Sequence, residues 1–274
     1  MSENKISIEN ACKYFYGKER RGAASKFVAI RNVSLDVREG ELLSIVGPSG
    51  CGKSTLLDLL AGLEPLSDGA IYIDGGKVTG PDLRRGIVLQ GYALFPWRTV
   101  RENVEFGLEI KDAEKKEMKE TSQHFIKLVG LEDFADKYPH ELSGGMRQRV
   151  ALARALAYGP EILLMDEPFA AVDAQTRETL QEELLHIWEE TRKTIIFITH
   201  SIDEAIFLSD RVAVMTSSPG SIKSILSVDI ERPRNSDRAT AEFSSLRREI
   251  WSLLQNDAAR GDEIEQEYCG EKAV

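Results

Sequence analysis

Apolar positions alternate with polar ones in some stretches of the chain and run together in others, and the two patterns predict different surroundings. Lys5 to Glu9 and Phe27 to Val37 alternate, as strands with one buried face do. They bracket the polar segment Lys18 to Ser25, which reads as a solvated hairpin tip; its Lys18, Arg20 and Arg21 leave contact with anionic lipid as the alternative. An antiparallel N-terminal piece is expected. LLSIV at Leu42 to Val46, ILLM at Ile162 to Met165 and TIIFIT at Thr194 to Thr199 are short unbroken apolar runs, the pattern of strands buried on both faces of a parallel sheet. Helical patterns lie between them, so the expected class is α/β with crossover connections.

From about Arg98 to Arg154 the strand pattern lapses into charged, helix-prone text with apolar residues at Met118, Phe125, Leu128 and Val129, and a mostly helical insertion is expected there. Near the end, Phe243, Leu246, Ile250 and Leu253 fall at steps of three and four, one apolar stripe on a helix. After Asn256 the acid-rich text carries no stripe and is expected to fray.

Composition narrows the functional classes. With 35 basic and 45 acidic residues among 274, the formal net charge is −10, which opposes a broad grip on a phosphate backbone; no nucleic-acid partner is expected. Cys12, Cys51 and Cys269 are far apart and form no C-x-x-C pair, so they read as reduced thiols. The first residues have neither the basic nor the apolar region of a secretory signal. No uncharged apolar run approaches the roughly 20 residues needed to span a bilayer.

The chemistry starts at GPSGCGKS, Gly47 to Ser54, which fits G-x-x-x-x-G-K-[ST]. The pattern needs a strand before it and a helix after it. LLSIV precedes, and KSTLLDLLAGL follows with Leu56, Leu60 and Leu63 on one face and Gly62 near its end. Glycines let backbone N–H groups converge on phosphate oxygens at a helix N-terminus, where the dipole favours negative charge. The candidate phosphate-binding residues are Gly47, Pro48, Ser49, Gly50, Cys51, Gly52, Lys53, Ser54 and Thr55. Lys53 is placed to reach the β- and γ-phosphates and Ser54 to offer its hydroxyl to Mg²⁺.

ILLMDEPF, Ile162 to Phe169, ends a buried strand in two adjacent carboxylates. Side chains alternate along a strand, but at its end the chain turns and both can approach one phosphate. Asp166 suits a Mg²⁺ position, and Glu167 suits the general base that orients the attacking water.

Further segments identify the kind of phosphate-loop enzyme. LSGGMRQRVALARAL, Leu142 to Leu156, resembles the signature sequence of the ABC ATPases and stands in their order between phosphate loop and carboxylate strand. Gln90 looks like their Q-loop glutamine, His200 like their switch histidine, and AAVD at Ala170 to Asp173 like their D-loop, Asp173 matching its aspartate. The resemblance implies a phosphate-loop fold with a RecA-like parallel-sheet core, an N-terminal antiparallel β subdomain and an inserted helical subdomain. It places the ATPase domain over residues 1–235, the insertion at about 98–154, and a C-terminal helix and tail over 236–274. It also implies ATP and Mg²⁺ as cofactors, Glu167, His200 and Gln90 in catalysis, and Ser54, Gln90 and Asp166 around the metal.

Ser143, Gly144 and Gly145 open an alanine-rich helix, a second amide-lined anion site. In the family that site faces the γ-phosphate held by the partner, so the resemblance implies a head-to-tail dimer of two copies closing on two ATP molecules. Phe15 aligns with the adenine-stacking aromatic, with Tyr14 and Tyr16 as alternatives. The signature departs from the usual glutamine at Met146, and the D-loop has Ala170 where serine or glycine is usual.

Ala93 to Glu109, Asp173 to Trp188, Thr199 to Met215, and PGSI followed by ERPR at Glu231 to Arg234 resemble the ATPases of nitrate, sulfonate and taurine importers. In that branch the ATPase is a peripheral chain at the cytoplasmic face of the cell membrane. It docks on transmembrane permease subunits, which are fed by an extracytoplasmic solute-binding protein. Pro96, Trp97 and Arg98 fall where the permease's coupling helix rests. The competing readings are a soluble ABC ATPase acting on nucleic acid or the ribosome, and another phosphate-loop NTPase with an accidental signature.

Overall fold

The computed structural model describes residues 4–16, 26–170, 172–234 and 240–270, with side chains described as far as 255. In chain order the elements are β1 (Asn4–Tyr16), β2 (Lys26–Arg38), β3 (Leu42–Val46), α1 (Lys53–Ala61), β4 (Asp68–Ile73), β5 (Gly76–Lys77) and β6 (Arg85–Val88). There follow α2 (Val100–Ile110), α3 (Lys115–Leu128), α4 (Gly144–Ala157), β7 (Ile162–Asp166), α5 (Ala174–Thr191), β8 (Thr194–Thr199), α6 (Ile202–Leu208), β9 (Arg211–Met215), β10 (Ile222–Ser227) and α7 (Ala241–Gly270). The polar segment at Lys18 to Ser25 lies outside the described residues. The chain divides into two compact units, Met1–Gly80 with Phe197–Val274, and Pro81–Ile196.

In the first unit β1 and β2 make the expected antiparallel pair, extended by β4 and β5 in the order β2-β1-β4-β5. Both long strands run past the segments that alternate in the sequence, because the register shifts between Ile8 and Ala11 and again around Lys13. An extra residue at a bulge switches which face a side chain occupies. Polar Glu9 and Asn10 therefore interrupt a strand rather than end it. β3 pairs in parallel with β9, and β10 closes antiparallel on β9. All five residues of β3 are buried, as a strand covered on both faces requires. Leu56, Leu57, Leu59 and Leu60 of α1 and Ala205 to Leu208 of α6 are buried with it, each large side chain contributing about 1.5–3 kcal/mol by leaving water.

α7 carries the predicted stripe, with Phe243 and Ile250 in the core. Its backbone stays helical to Gly270, through the acid-rich text that has no stripe. Alanine, glutamate and glutamine are strong helix formers and sustain such a segment without a buried face.

In the second unit β6 and β7 pair in parallel, Val88 opposite Met165. The helical insertion is present as α2, α3 and α4. α2 begins at a capping box: Thr99 Oγ1 accepts from the Glu102 N–H at 3.3 Å, and Glu102 Oε2 accepts from the Thr99 N–H at 2.7 Å. Buried Asn103 holds the chain that enters α2. Its amide accepts from Phe95 N–H and donates to the carbonyls of Phe95, Arg98 and Thr99, fixing a loop that has no regular structure of its own.

Candidate active site

The phosphate loop sits between β3 and α1, as its pattern requires. Gly50 and Gly52 have φ of 75° and 98°, the left-handed region that side chains disfavour. Gly52 is the N-cap of α1, and no side chain caps this end, so the first-turn amides keep their hydrogen-bonding capacity for an anion. Lys53 is buried, and its ammonium donates to the carbonyls of Gly47 at 2.8 Å and Pro48 at 2.9 Å. The positive charge is thus stored inside the loop. Cys51 is buried beneath it, and burial raises its thiol pKa against the opposing pull of Lys53. Ser49 and Ser54 face outward.

The floor of the loop depends on Gly220, which in the sequence stands out only through the family resemblance of PGSI. Gly220 donates its N–H to the Ala29 carbonyl and accepts from Arg31 N–H, and a Cβ there would lie 2.0 Å from the Cys51 carbonyl oxygen. No side chain fits without moving the loop. Gly220→Ala is expected to weaken ATP binding by about tenfold and lower stability by about 1–3 kcal/mol, read by nucleotide titration and thermal melting; unchanged affinity would remove Gly220 from the loop's support.

Two more of the predicted residues belong to the same unit. Phe15 lies opposite Phe27 on the β1–β2 pair, and both rings are exposed. The Tyr14 ring has Lys26 Nζ 3.7 Å from its centroid, whereas Lys13 Nζ stands 5.0 Å from that of Phe15. His200 is exposed just past β8. Behind it Thr199 Oγ1 donates to Glu204 Oε2 at 2.5 Å and accepts from Ser201 N–H at 3.0 Å, while Ser201 Oγ caps Glu204 N–H at 3.3 Å. The ERPR segment serves the other end of α6. Arg234 is buried and donates to the carbonyls of Ile206, Phe207, Ser209 and Val228, satisfying groups that a helix end leaves open. Burial lowers its pKa to about 10.

In the second unit the structure brings Gln90 and the two carboxylates to one end of a strand pair. With Val88 opposite Met165, Gln90 and Glu167 both follow the carboxyl ends of adjacent parallel strands, where open α/β sheets place their ligands. Asp166 and Glu167 are half-buried and Gln90 is exposed. Glu167 has φ 44° and precedes Pro168. A residue before proline is pushed toward extended backbone, so the left-handed conformation is disfavoured twice, at a cost of about 1–3 kcal/mol. The turn it makes ends the alternation along β7.

The signature and the D-loop meet in the same unit. Ser143 is exposed and N-caps α4, its Oγ accepting from Met146 N–H at 3.3 Å. Asp173 N-caps α5, accepting from Thr176 N–H at 3.0 Å, and hydrogen bonds from Thr176 lower its pKa. A Cβ on Gly145 would stand 2.6 Å from Thr176 Cγ2, so the bare glycine lets the two helix N-termini touch. Arg154, farther along α4, donates to the carbonyls of Ala93 at 2.6 Å and Tyr92 at 2.9 Å. Tyr92 and Ala93 both have positive φ. Arg154 thus fastens a strained segment, just after Gln90, to the signature helix. The sequence held no separate signal for this, since an arginine on a helix is ordinarily solvated.

Ser54, Gln90 and Asp166 offer a hydroxyl, an amide oxygen and a carboxylate. Ser54 belongs to the first unit and Gln90 and Asp166 to the second; each is a hard oxygen donor of the kind that suits Mg²⁺.

A family model described as ABC transporter matches residues 30–170. The chain is 53% identical over 256 residues to an uncharacterised ABC transporter ATP-binding protein of Methanocaldococcus jannaschii, covering 93% of each. It is 45% identical over 268 residues to the nitrate import ATP-binding protein NrtD of Synechocystis, covering 95% of this chain and 97% of that one. Among solved structures, the dimeric post-hydrolysis state of an ATP-binding cassette bound to ADP and phosphate superposes with a TM-score of 0.72 at 33% identity, covering 82% of this chain and all of that one.

Proposed function

Because the chain belongs to the ABC transporter ATP-binding family and is an ATPase subunit of a transporter, we propose that it energises an importer of a small anion such as nitrate, sulfonate or taurine. The observation that carries this reading is the 45% identity to a nitrate import ATP-binding protein along nearly the whole of both chains.

The chain's own groups divide the work. The loop Gly47 to Thr55 holds the phosphates by its amides, and Lys53 exchanges its contacts with the Gly47 and Pro48 carbonyls for β- and γ-phosphate oxygens. Phe15 stacks on adenine with its exposed ring. Ser54, Gln90 and Asp166 would hold Mg²⁺, which supplies charge neutralisation at the phosphates. Glu167 takes the proton of the attacking water, Gln90 orients that water, and His200 donates to the γ-phosphate. Ser143, Gly144 and Gly145 present a second set of amides to the nucleotide held by the other copy, with Asp173 beside them. Two copies in head-to-tail arrangement make two such sites.

A partner surface is also proposed in the second unit. Trp97 is 71% exposed beside Phe95, with ring centroids 5.6 Å apart, and Arg98 lies over Phe95 and Phe106. A ring and a planar cation on a loop pinned by Asn103 suit a permease's intracellular helix. On the same likeness to import ATP-binding proteins we place the chain as a peripheral subunit at the cytoplasmic face; among the described residues no helix is long and apolar enough to cross a membrane.

The test is to purify the protein from detergent-solubilised membranes, identify its companions, reconstitute them in vesicles and add candidate anions. Recovery with permease subunits, and ATPase activity stimulated by nitrate, sulfonate or taurine above a chloride control, is the expected result. Recovery only with ribosomes or nucleic acid would overturn the reading.

A further inference from the structure

His200 stands at the rim of a groove of about 500 Å³ whose other wall is α7, through Arg248, Trp251 and Leu254. The backbone that carries His200 sets where its side chain begins, so what holds that backbone bears on where the ring sits. Here that backbone is the step from β8 into α6. The far end of α6 is fixed by Arg234 and by Arg232, which donates to the Leu208 carbonyl and to Asp210. The near end, adjoining His200, is tied to the C-terminal helix by a bidentate contact. Arg247 Nε reaches Asp203 Oδ1 at 2.6 Å and Nη2 reaches Oδ2 at 2.7 Å. The guanidinium is itself braced over the buried Phe243 ring, 5.4 Å from its centroid.

We propose that Arg247 is a positioning residue for His200: by gripping Asp203 it fixes the first turn of α6, so that the seating of α7 sets the rate of hydrolysis. The proposal rests on the reading that His200 serves hydrolysis. Both members of the pair are partly exposed, 42% and 35%, and pairs of that kind add little to stability. A two-pronged carboxylate–guanidinium contact adds direction instead. The pair also accounts for a polar couple on a helix whose other inward positions, Phe243 and Ile250, are apolar and already anchor it.

The experiment compares Arg247→Ala, Arg247→Lys and His200→Ala in the full-length protein. Turnover of Arg247→Ala is expected to fall about tenfold, the scale of a small misplacement of a reacting group, with KM for MgATP within twofold of the parent and the fold retained. Arg247→Lys, which keeps the charge and one prong, is expected to recover part of the loss. Imidazole NMR supplies a readout independent of activity: in Arg247→Ala the His200 resonances move, while those of His124, His140 and His186 stay. Unchanged turnover or unmoved His200 resonances would overturn the clamp. If His200→Ala is inactive while Arg247→Ala is normal, only the clamp fails; if His200→Ala hydrolyses at the parent rate, the assignment of His200 fails and the clamp with it.

Discussion

Replacing Glu167 by Gln is expected to slow phosphate release by about 10²–10⁴-fold, the range over which a general base contributes, while MgATP stays bound and the protein elutes as a dimer. The substitution removes the base and keeps everything else. Glutamine has the shape of glutamate and occupies the same turn, and the loop that holds the phosphates, with Lys53 lodged between the Gly47 and Pro48 carbonyls, is untouched. Closure on nucleotide survives because its contacts survive; reopening fails because cleavage fails. Single-turnover phosphate release and size-exclusion chromatography with MgATP separate the two. A Glu167→Gln protein that cleaves at the parent rate would assign the base elsewhere.

The strained backbone at this position provides a control. Glu167 at φ 44° before Pro168 is a conformation that glycine adopts at little cost. Glu167→Gly is therefore expected to lose hydrolysis like Glu167→Gln but to melt higher, by about 2–4 °C for each kcal/mol of strain released in a chain of this size. Loss of activity with gain of stability is what a strained functional residue predicts. A general packing role predicts that both fall.

Those two carboxylates show where the sequence was legible and where it stopped. The run Ile162 to Met165 is uninterruptedly apolar, so β7 and its burial could be read directly; that the next residue but one turns left-handed could not, because nothing in Asp-Glu-Pro announces a positive φ. β1 shows the converse. Its alternation fails at Glu9 and Asn10, where the pairing register slips, and a pattern of period two cannot be followed through a slip. The phosphate loop was readable because its chemistry is local: strand, bare loop and helix N-terminus are neighbours in the chain. Its support was not, since Gly220 and Cys51 are joined only by folding. Arg234 is of the same kind. The ERPR segment could be recognised as a resemblance, but its task, closing the carbonyl end of α6, depends on a helix some 25 residues upstream. Asp173 stands at the place of the D-loop aspartate and also makes a capping bond, so alanine there would disturb α5 whatever it does to nucleotide.

Ser143→Arg is expected to abolish turnover while leaving the affinity of a single chain for ATP within about threefold, because the phosphate loop of that chain is unaltered. Ser143 is exposed at the N-terminus of α4, so a longer side chain is accommodated in the lone copy and obstructs only what approaches those amides from outside. Its cost to the fold is the lost cap, about 1 kcal/mol. Lys53→Ala should be inactive for the opposite reason, having lost the phosphate contact in its own loop. Mixing the two inactive proteins distinguishes a shared site from a private one. In the proposed head-to-tail pair each loop would work with the partner's signature, and two-fold symmetry makes the two sites equivalent. A mixed dimer then has one site lacking both groups and one lacking neither: the unaltered loop of the Ser143→Arg copy faces the unaltered signature of the Lys53→Ala copy. With random pairing half the dimers are mixed and half of their sites are whole, so activity should return to about a quarter of the parent value if the two sites act independently. Activity that remains at the sum of the two inactive proteins, with mixed dimers shown to be present by differential tagging, would mean that the chain hydrolyses ATP without a signature from its partner.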